Sequence, residues 1–263
     1  MNLLDQILAE KRESLAERMA ARPLNEVRAM IRDADAPRGF HRALVEATAP
    51  VSLIAEVKPG SPTRAVIRPN LDPVAVAQAY EQAGAHCLSV LTDVKHFGGS
   101  EANLRAARAA VSLPVLRKDF VVDAYDVEEA RAMGADAVLL IVNGLTDGAL
   151  REYRELAESL GMDALVEVHS PSEAERAVAS GAKLIGVNNR DLESFQTSVE
   201  VGLAVLPGLL GKATLVSESA LTNHADVSRV AAAGARSVLI GTAFCESPDI
   251  ESRVREVMGW PRS

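Results

Sequence analysis

The stretch AMGADAVLLI (Ala132–Ile141) decides the fold, because three other stretches of the chain repeat its pattern. Each copy contains Gly-Ala, and an apolar run follows after one or two residues. The other copies are QAGAHCLSVL (Gln82–Leu91), ASGAKLIGVN (Ala179–Asn188) and AAGARSVLIG (Ala232–Gly241). Glycine can adopt the left-handed conformation that ends a helix, and an uninterrupted apolar run is typical of a parallel strand buried on both faces. Each copy is therefore predicted to join a helix to a strand.

The spacing of the copies predicts the number of strands. Their glycines, at positions 84, 134, 181 and 234, lie 50, 47 and 53 residues apart, which leaves room for two strand–helix units per interval. Four more apolar runs fill the intervals and the segment before them: Leu53–Val57, Val115–Leu116, Ala164–Val168 and Thr214–Val216. Eight alternating units in about 210 residues predict a (β/α)8 TIM barrel. An open doubly wound sheet would also alternate, but no GxGxxG follows the first strand.

Composition indicates a globular protein with a small-molecule partner. Of the 263 residues, 48% are hydrophobic, which is enough apolar mass for a sizeable core and argues against disorder. The formal net charge of -8 offers no basic surface for nucleic acid or anionic membrane. No apolar run approaches the roughly 20 residues of a membrane span. We expect a cytoplasmic protein, a monomer or weak homodimer, without nucleic-acid or membrane partners.

The cysteines and histidines do not predict a metal site. Cys87 and Cys245 lie in apolar surroundings without a CxxC, so we interpret them as reduced core residues. No histidine pairs with carboxylates at metal-ligand spacing. His169 follows a strand end, where a structural role is favoured over support of a site.

The first 48 residues are expected to form a helical extension, and residues 49–263 a single catalytic barrel domain. Leu3, Leu4, Ile7 and Leu8 have helical spacing with charges between them. The extension would either plug the bottom of the barrel or arch over its opening. Position along the chain does not choose between these two arrangements.

Charged residues end several of the predicted strands, and the active site of a parallel barrel forms at those ends. Glu56 and Lys58 follow the first strand with period-two spacing, so both point into the mouth of the barrel. Lys118 ends the third strand and Glu167 the fifth. These four could merely neutralise one another, but together at one rim they indicate catalysis. Asn188, Arg190, Glu218 and Ser219 also stand at strand ends. Phe97 and Phe120 follow strand ends and are candidates either for packing on an aromatic substrate ring or for anchoring their loops.

Small and hydroxyl residues after three strands suggest an anion site. Ser61 to Arg64 follow the first strand, Ser219 and Ala220 the seventh, and Gly241 and Thr242 the eighth. Barrels often bind phosphate in the loops after strands seven and eight, at the N-terminus of a short helix. The alternative is that Gly241-Thr242 is only a turn with a helix cap. The predicted phosphate-binding residues are Ser61, Lys58, Ala220, Gly241 and Thr242.

Six ordered phrases resemble the indole-3-glycerol phosphate synthase family. They are IAEVKPGSP, LSVLTDVKHFGGS, PVLRKDF, LVEVH, IGVNNRDL and VSES, and the likeness spans about residues 50 to 245. The resemblance implies ring closure of 1-(2-carboxyphenylamino)-1-deoxyribulose 5-phosphate to indole-3-glycerol phosphate, with loss of CO2 and water and with no cofactor. The family also carries an N-terminal helical extension.

The resemblance also implies roles for individual residues. Lys118 would be the general acid at the substrate ketone, and Glu167 the acid or base of the later dehydration. Lys58 would bind the carboxylate or phosphate end and share in proton transfer, oriented by Glu56. Asn188, Arg190, Glu218 and Ser219 would hold the hydroxyls and the carboxylate. We further predict that burial raises the pKa of Glu167 and that Lys118 stays cationic.

Two departures and two alternatives accompany this interpretation. Ala220 and Ala65 stand where the family usually has glycine, which puts the grip on phosphate in question. One alternative is another phosphate-binding barrel, either a phosphoribosyl isomerase, which ordinarily lacks the extension, or an aldolase that forms a Schiff base on Lys118. The other is a barrel that binds or scaffolds without turnover, against which the intact acids and lysines argue.

Overall fold

The protein is described by a computed structural model that covers residues 2–62, 64–190 and 197–261. Thr63 of the predicted phosphate segment and Asp191 at the end of the sixth strand lie outside these residues. Among the described helices, none is both long enough and apolar enough to cross a membrane.

Within the described residues, eight parallel strands close into a barrel in chain order, and the last strand pairs with the first. The predicted TIM barrel is confirmed. The strands are β1 (Ser52–Val57), β2 (Cys87–Leu91), β3 (Val115–Lys118), β4 (Ala137–Ile141), β5 (Asp163–Val168), β6 (Leu184–Asn188), β7 (Thr214–Glu218) and β8 (Ser237–Ile240). Each begins within one residue of the position that the apolar runs predict, because burial on both faces requires such a run.

Helices precede the barrel, connect its strands and follow the last strand. They are α1 (Leu3–Ala21), α2 (Leu24–Asp33), α3 (Phe40–Val45), α4 (Pro73–Ala83), α5 (Val94–Phe97), α6 (Glu101–Ala110), α7 (Ala124–Met133), α8 (Asp147–Ser159), α9 (Pro171–Ala179), α10 (Glu200–Val205), α11 (His224–Ala232), α12 (Thr242–Cys245) and α13 (Ile250–Met258). Single 3-10 turns occupy Val142–Gly144 and Leu206–Leu209.

The repeated glycines end helices as predicted. Gly84, Gly134, Gly181 and Gly234 have φ angles of 98°, 94°, 84° and 114°, all in the left-handed region. A side chain there would be strained, so glycine permits the sharp turn from each helix into the next strand.

The helical extension lies at both ends of the barrel, so the two predicted arrangements are both present. At the amino ends of the strands, the backbone N–H of His41 in α3 donates to Asp163 Oδ2 at 2.8 Å. Phe40 and Leu44 of α3 are buried against the barrel interior. At the carboxyl ends, Leu4 of α1 packs on the same interior core. The extension therefore plugs the bottom and covers part of the mouth.

Aliphatic side chains fill the barrel between these two helices. The interior includes Ile54, Leu116, Leu139 and Leu165, all nearly or fully buried. The acids and lysines that line the cavity lie above this apolar floor, at the carboxyl ends of the strands. Both cysteines of the chain are free and buried, as predicted.

Candidate active site at the carboxyl end of the barrel

A cavity of about 580 Å³ opens at the carboxyl ends of the strands. Its wall contains nearly all of the side chains predicted from the strand ends: Glu56, Lys58, Phe97, Lys118, Phe120, Glu167, Asn188, Arg190, Glu218, Ser219, Ala220, Gly241 and Thr242. The structure describes all of the predicted site residues, and among them only Ser61 is missing from the cavity wall. Its backbone N–H donates to Arg64 O at 2.8 Å in a turn outside the cavity wall.

Three strand ends bring Lys118, Glu167 and Glu218 together. Lys118 Nζ lies 3.3 Å from Glu167 Oε2 and 3.9 Å from Glu218 Oε2. Burial by itself would lower the pKa of Lys118, but the negative charges of Glu167, Glu218 and Glu56 outweigh burial and raise this pKa. Lys118 is thus an ammonium ion at neutral pH, as predicted.

The first strand contributes a second acid–lysine pair. Lys58 Nζ lies 3.3 Å from Glu56 Oε1, and Ser89 Oγ of β2 donates to the other carboxyl oxygen at 3.4 Å. Lys58 Nζ also lies 5.8 Å from the centre of the Phe97 ring, which favours a cation there. Phe97 and Phe120 stand with ring centres 6.0 Å apart and form an apolar wall beside Lys58.

The pKa of Glu167 is lowered, and the predicted rise is wrong. Burial would raise this pKa, but the positive charges of Lys118 and His169 outweigh burial. His169 Nε2 lies 3.3 Å from Glu167 Oε1, on the side of the carboxylate away from Lys118. His169 is thus a direct neighbour of the site; the sequence allows this role but favours a structural histidine, because a two-residue spacing from Glu167 suits both.

Glu218 is instead the carboxyl group whose pKa rises. It is 1% exposed, and none of the described residues donates a hydrogen bond to either of its side-chain oxygens. Burial, together with the negative charge of Glu167, raises the pKa of Glu218 to about 8. The site therefore holds one carboxylate, Glu167, and one carboxyl group that keeps its proton at neutral pH.

The proton on Glu218 should make stability depend on pH. Its pKa rises on folding from the ordinary 4.5 to about 8, so its contribution to the free energy of unfolding is complete below pH 4.5 and disappears as pH rises through 8. Glu218→Gln has no such proton to lose. We expect the variant to be more stable than the wild type at pH 9 by several kcal/mol, since a tenfold change in acid strength corresponds to about 1.4 kcal/mol, and equally stable near pH 4.5, in urea titrations. An equal difference at both pH values would contradict the neutral Glu218.

Two glycines leave room for the buried acids. A Cβ at Gly186 of β6 would overlap Glu218 Oε1, and a Cβ at Gly241 would come within 2.5 Å of Glu56 Oε1. Any side chain at either position would push an acid away from its lysine. The absence of a side chain at these two positions therefore helps to place Glu218 and Glu56 in the site.

The loop after β7 has a strained backbone at the predicted phosphate position. Ser219 and Ala220 have φ angles of 65° and 61°, in the left-handed region that favours glycine. Both residues line the cavity beside Gly241 and Thr242, which begin α12. Ala220 therefore has a backbone conformation that is typical of glycine, and this conformation lowers the free energy of unfolding.

Replacing Ala220 by glycine is expected to stabilise the protein. The left-handed conformation destabilises a residue with a Cβ by about 1–2 kcal/mol. Glycine avoids this strain, but its greater freedom in the unfolded chain lowers the free energy of unfolding by about 0.5–1 kcal/mol. We expect a gain of about 0.5–1 kcal/mol in the free energy of unfolding, measured by urea titration. Ala65→Gly is the matched control, because Ala65 has no positive φ. A loss of stability in Ala220→Gly would refute the strain.

Helix α1 is clamped over the mouth by buried ion pairs. Lys11 Nζ lies 2.9 Å from Asp93 Oδ2 after β2 and 2.7 Å from Asp119 Oδ1 after β3. Asp119 directly follows Lys118, so α1 and Lys118 are connected through one loop. Leu4 and Ile7 of α1 line the cavity. The helical spacing of these apolar residues predicts the helix, but it does not indicate which end of the barrel the helix covers.

Among the described residues, no three His, Cys, Asp or Glu side chains lie close enough together to hold a metal ion. The cavity wall carries acids and ammonium groups, which can donate and accept protons.

The fold is shared with several solved barrels. A variant of mandelate oxidase has a TM-score of 0.60 at 16% identity, covering 81% of this chain and 73% of that chain. The N-acetylmannosamine-6-phosphate 2-epimerase from Clostridium perfringens has a TM-score of 0.58 at 16% identity, covering 73% and 86%. Thiamine phosphate pyrophosphorylase from Pyrococcus furiosus has a TM-score of 0.58 at 16% identity, covering 80% and 95%. At such identities the likeness shows the fold alone.

The closed barrel, its cavity and the buried acid–lysine pairs define a (β/α)8 barrel with a candidate active site at the carboxyl ends of its strands. The family model of indole-3-glycerol phosphate synthase matches residues 4–257 of the chain. The chain belongs to this family, and it is a carboxy-lyase of tryptophan biosynthesis that forms indole-3-glycerol phosphate. The match includes the helical extension, and the phosphorylated small-molecule substrate that the sequence predicts fits this family.

Proposed function

We propose that Lys118 is the general acid of ring closure on 1-(2-carboxyphenylamino)-1-deoxyribulose 5-phosphate. The observation that carries this proposal is the buried ammonium of Lys118, 3.3 Å from an anionic Glu167 and 3.9 Å from a protonated Glu218. Lys118 can give its proton to the substrate and then regain one from a neighbouring protonated carboxyl group. General acid–base catalysis of this kind contributes about 10²- to 10⁴-fold in rate.

In the first step, the ring carbon that bears the carboxylate bonds to the ketone carbon. The ketone oxygen takes a proton from Lys118 and becomes a hydroxyl group. The carboxylate then leaves as CO2, and the electrons of its bond restore the aromatic ring. Lys118, now neutral, can take the proton of Glu218, which solvent replaces after turnover.

Dehydration acts on the oxygen that Lys118 has already protonated. A second proton from Lys118 lets this hydroxyl leave as water, so one ammonium group serves both steps. Glu167, an anion in the resting site, takes a proton from the carbon next to the nitrogen, and the indole double bond forms. The whole reaction consumes one proton, which matches the loss of one carboxylate charge as CO2.

The remaining side chains hold the substrate. Lys58, oriented by Glu56, would bind the carboxylate or phosphate end and share in proton transfer, and the Phe97–Phe120 wall beside it suits the benzoate ring. Backbone N–H groups at Ala220 after β7 and at Gly241 and Thr242 after β8 would bind the phosphate. The hydroxyl groups and carboxylate would be held by Asn188, Arg190, Glu218 and Ser219.

Residues 1–48 are proposed to act as one unit with the barrel, since α1 covers part of the cavity. We further propose that the enzyme is a monomer or weak homodimer. A cytoplasmic location is proposed as well, because a phosphorylated sugar does not cross membranes unaided and must be made in the compartment that uses it.

A fluorescence assay tests the function. Purified protein and the substrate should yield the fluorescence of indole-3-glycerol phosphate without an added cofactor, whereas no signal would refute the activity. Borohydride added during turnover tests the Schiff-base alternative. No covalent adduct is expected, because the raised pKa of Lys118 keeps it an ammonium ion, which is not a nucleophile.

A further inference from the structure

His169 lies between two carboxylates and belongs to neither the substrate cavity wall nor the surface. Its Nε2 is 3.3 Å from Glu167 Oε1, and its Nδ1 is 3.2 Å from Glu173 Oε2. The backbone N–H of His169 also donates to Glu173 Oε2, at 2.9 Å. Its side chain is only 11% exposed. The ring is therefore held from the backbone side by Glu173 and faces Glu167 with its other nitrogen.

The two oxygens of Glu167 are divided between two cations. Oε2 faces Lys118 and Oε1 faces His169, each at 3.3 Å. Charged neighbours at both oxygens restrict rotation of the carboxylate plane more than a neighbour at one oxygen does, and Asn188 is a further partner of Glu167. Glu167 must present an oxygen to the substrate, so this plane matters for proton transfer.

The position of His169 makes a charged ring costly without Glu173. His169 precedes α9, whose N-cap is Ser170, and the positive end of a helix dipole disfavours a nearby cation. Glu173 lies in the first turn of that helix and supplies the opposing charge. With Glu167 it outweighs burial and raises the pKa of His169 to about 9.

We propose that His169, held by Glu173, is a positioning residue that fixes the orientation and the negative charge of Glu167. This inference rests on the proposed role of Glu167 as a base. The charged groups that face the ring are Glu167 from β5 and Glu173 from α9, with Lys118 from β3 and Glu218 from β7 beyond Glu167. His169 and Glu173 act through Glu167 and do not contact the substrate.

The test compares His169→Gln and Glu173→Gln with the wild type in steady-state kinetics across pH. For His169→Gln we expect kcat to fall about 10- to 100-fold, as for a misplaced catalytic group, with KM within about threefold. Losing a cation raises the pKa of Glu167, so the acid limb of the kcat profile should move to higher pH. For Glu173→Gln, His169 loses its proton more easily, so the alkaline limb should move to lower pH. The exposed His224→Gln is the matched control and should change neither.

Glu167→Gln separates this inference from the proposed function. If Glu167→Gln is inactive but His169→Gln and Glu173→Gln keep the wild-type kcat and pH limbs, the positioning role is overturned while the role of Glu167 stands. If Glu167→Gln remains active, both fail. Should His169→Gln not fold, as judged by circular dichroism, Glu173→Gln decides alone, because it keeps the histidine and removes only its support.

Discussion

Lys118→Ala is expected to lower kcat by at least about 10²-fold, because the ketone oxygen then loses its proton donor. Binding should suffer less, since the other cavity residues remain. The nearby acids should also change: without the ammonium, Glu167 loses a partner at 3.3 Å and should take up a proton more easily. The measurement is the fluorescence assay for indole-3-glycerol phosphate, run as initial rates over a range of substrate concentrations.

Two variants sharpen this experiment. Lys118→Arg keeps the positive charge beside Glu167 and Glu218, but guanidinium does not release its proton, so kcat should stay low while KM is largely restored. Lys183→Ala removes an exposed lysine at the opposite end of the barrel and should leave the rate unchanged. A Lys118→Ala enzyme within about threefold of the wild-type kcat would end the assignment of the general acid.

Glu167→Gln is expected to lower kcat by about 10²- to 10⁴-fold with little change in KM. Glutamine has nearly the same shape but cannot take the proton from carbon in the dehydration step. The change also removes the negative charge that most strongly raises the pKa of Lys118. Lys118 should therefore lose its proton at lower pH, and the alkaline limb of the remaining activity should move down.

The control for this variant is Glu152→Gln, which alters an exposed glutamate on α8. It should keep both the wild-type kcat and the wild-type pH profile. A second readout is the reaction product itself, because a failure in dehydration should let the hydroxylated ring intermediate accumulate after CO2 is lost. Release of CO2 and formation of indole-3-glycerol phosphate at equal, undiminished rates in Glu167→Gln would show that another group is the base.

The strands and the rim residues follow directly from the order of residues. An apolar run such as Ala137–Ile141 is compatible with a strand buried on both faces wherever it occurs, so the start of every strand could be predicted to within a residue. Glu56 and Lys58 face the same cavity because successive side chains alternate along a strand. Both properties are local.

Protonation states and partners required the folded chain. Sequence reasoning gave the raised pKa to Glu167, but that group lies between Lys118 and His169, and the raised pKa belongs to Glu218. Glu167 and Lys118 are 49 residues apart in the chain. The sign of each shift depends on distances of 3–4 Å between strands, and no local pattern records those distances.

The residue order alone determined that eight strands alternate with helices and that acids, lysines and small residues end them, because backbone geometry fixes those features within a few residues. Tertiary packing decided that the N-terminal extension covers both ends of the barrel, that His169 supports Glu167, and that Glu218 rather than Glu167 holds a proton. Electrostatic energies follow distance through space and burial, and both are set only when the barrel closes.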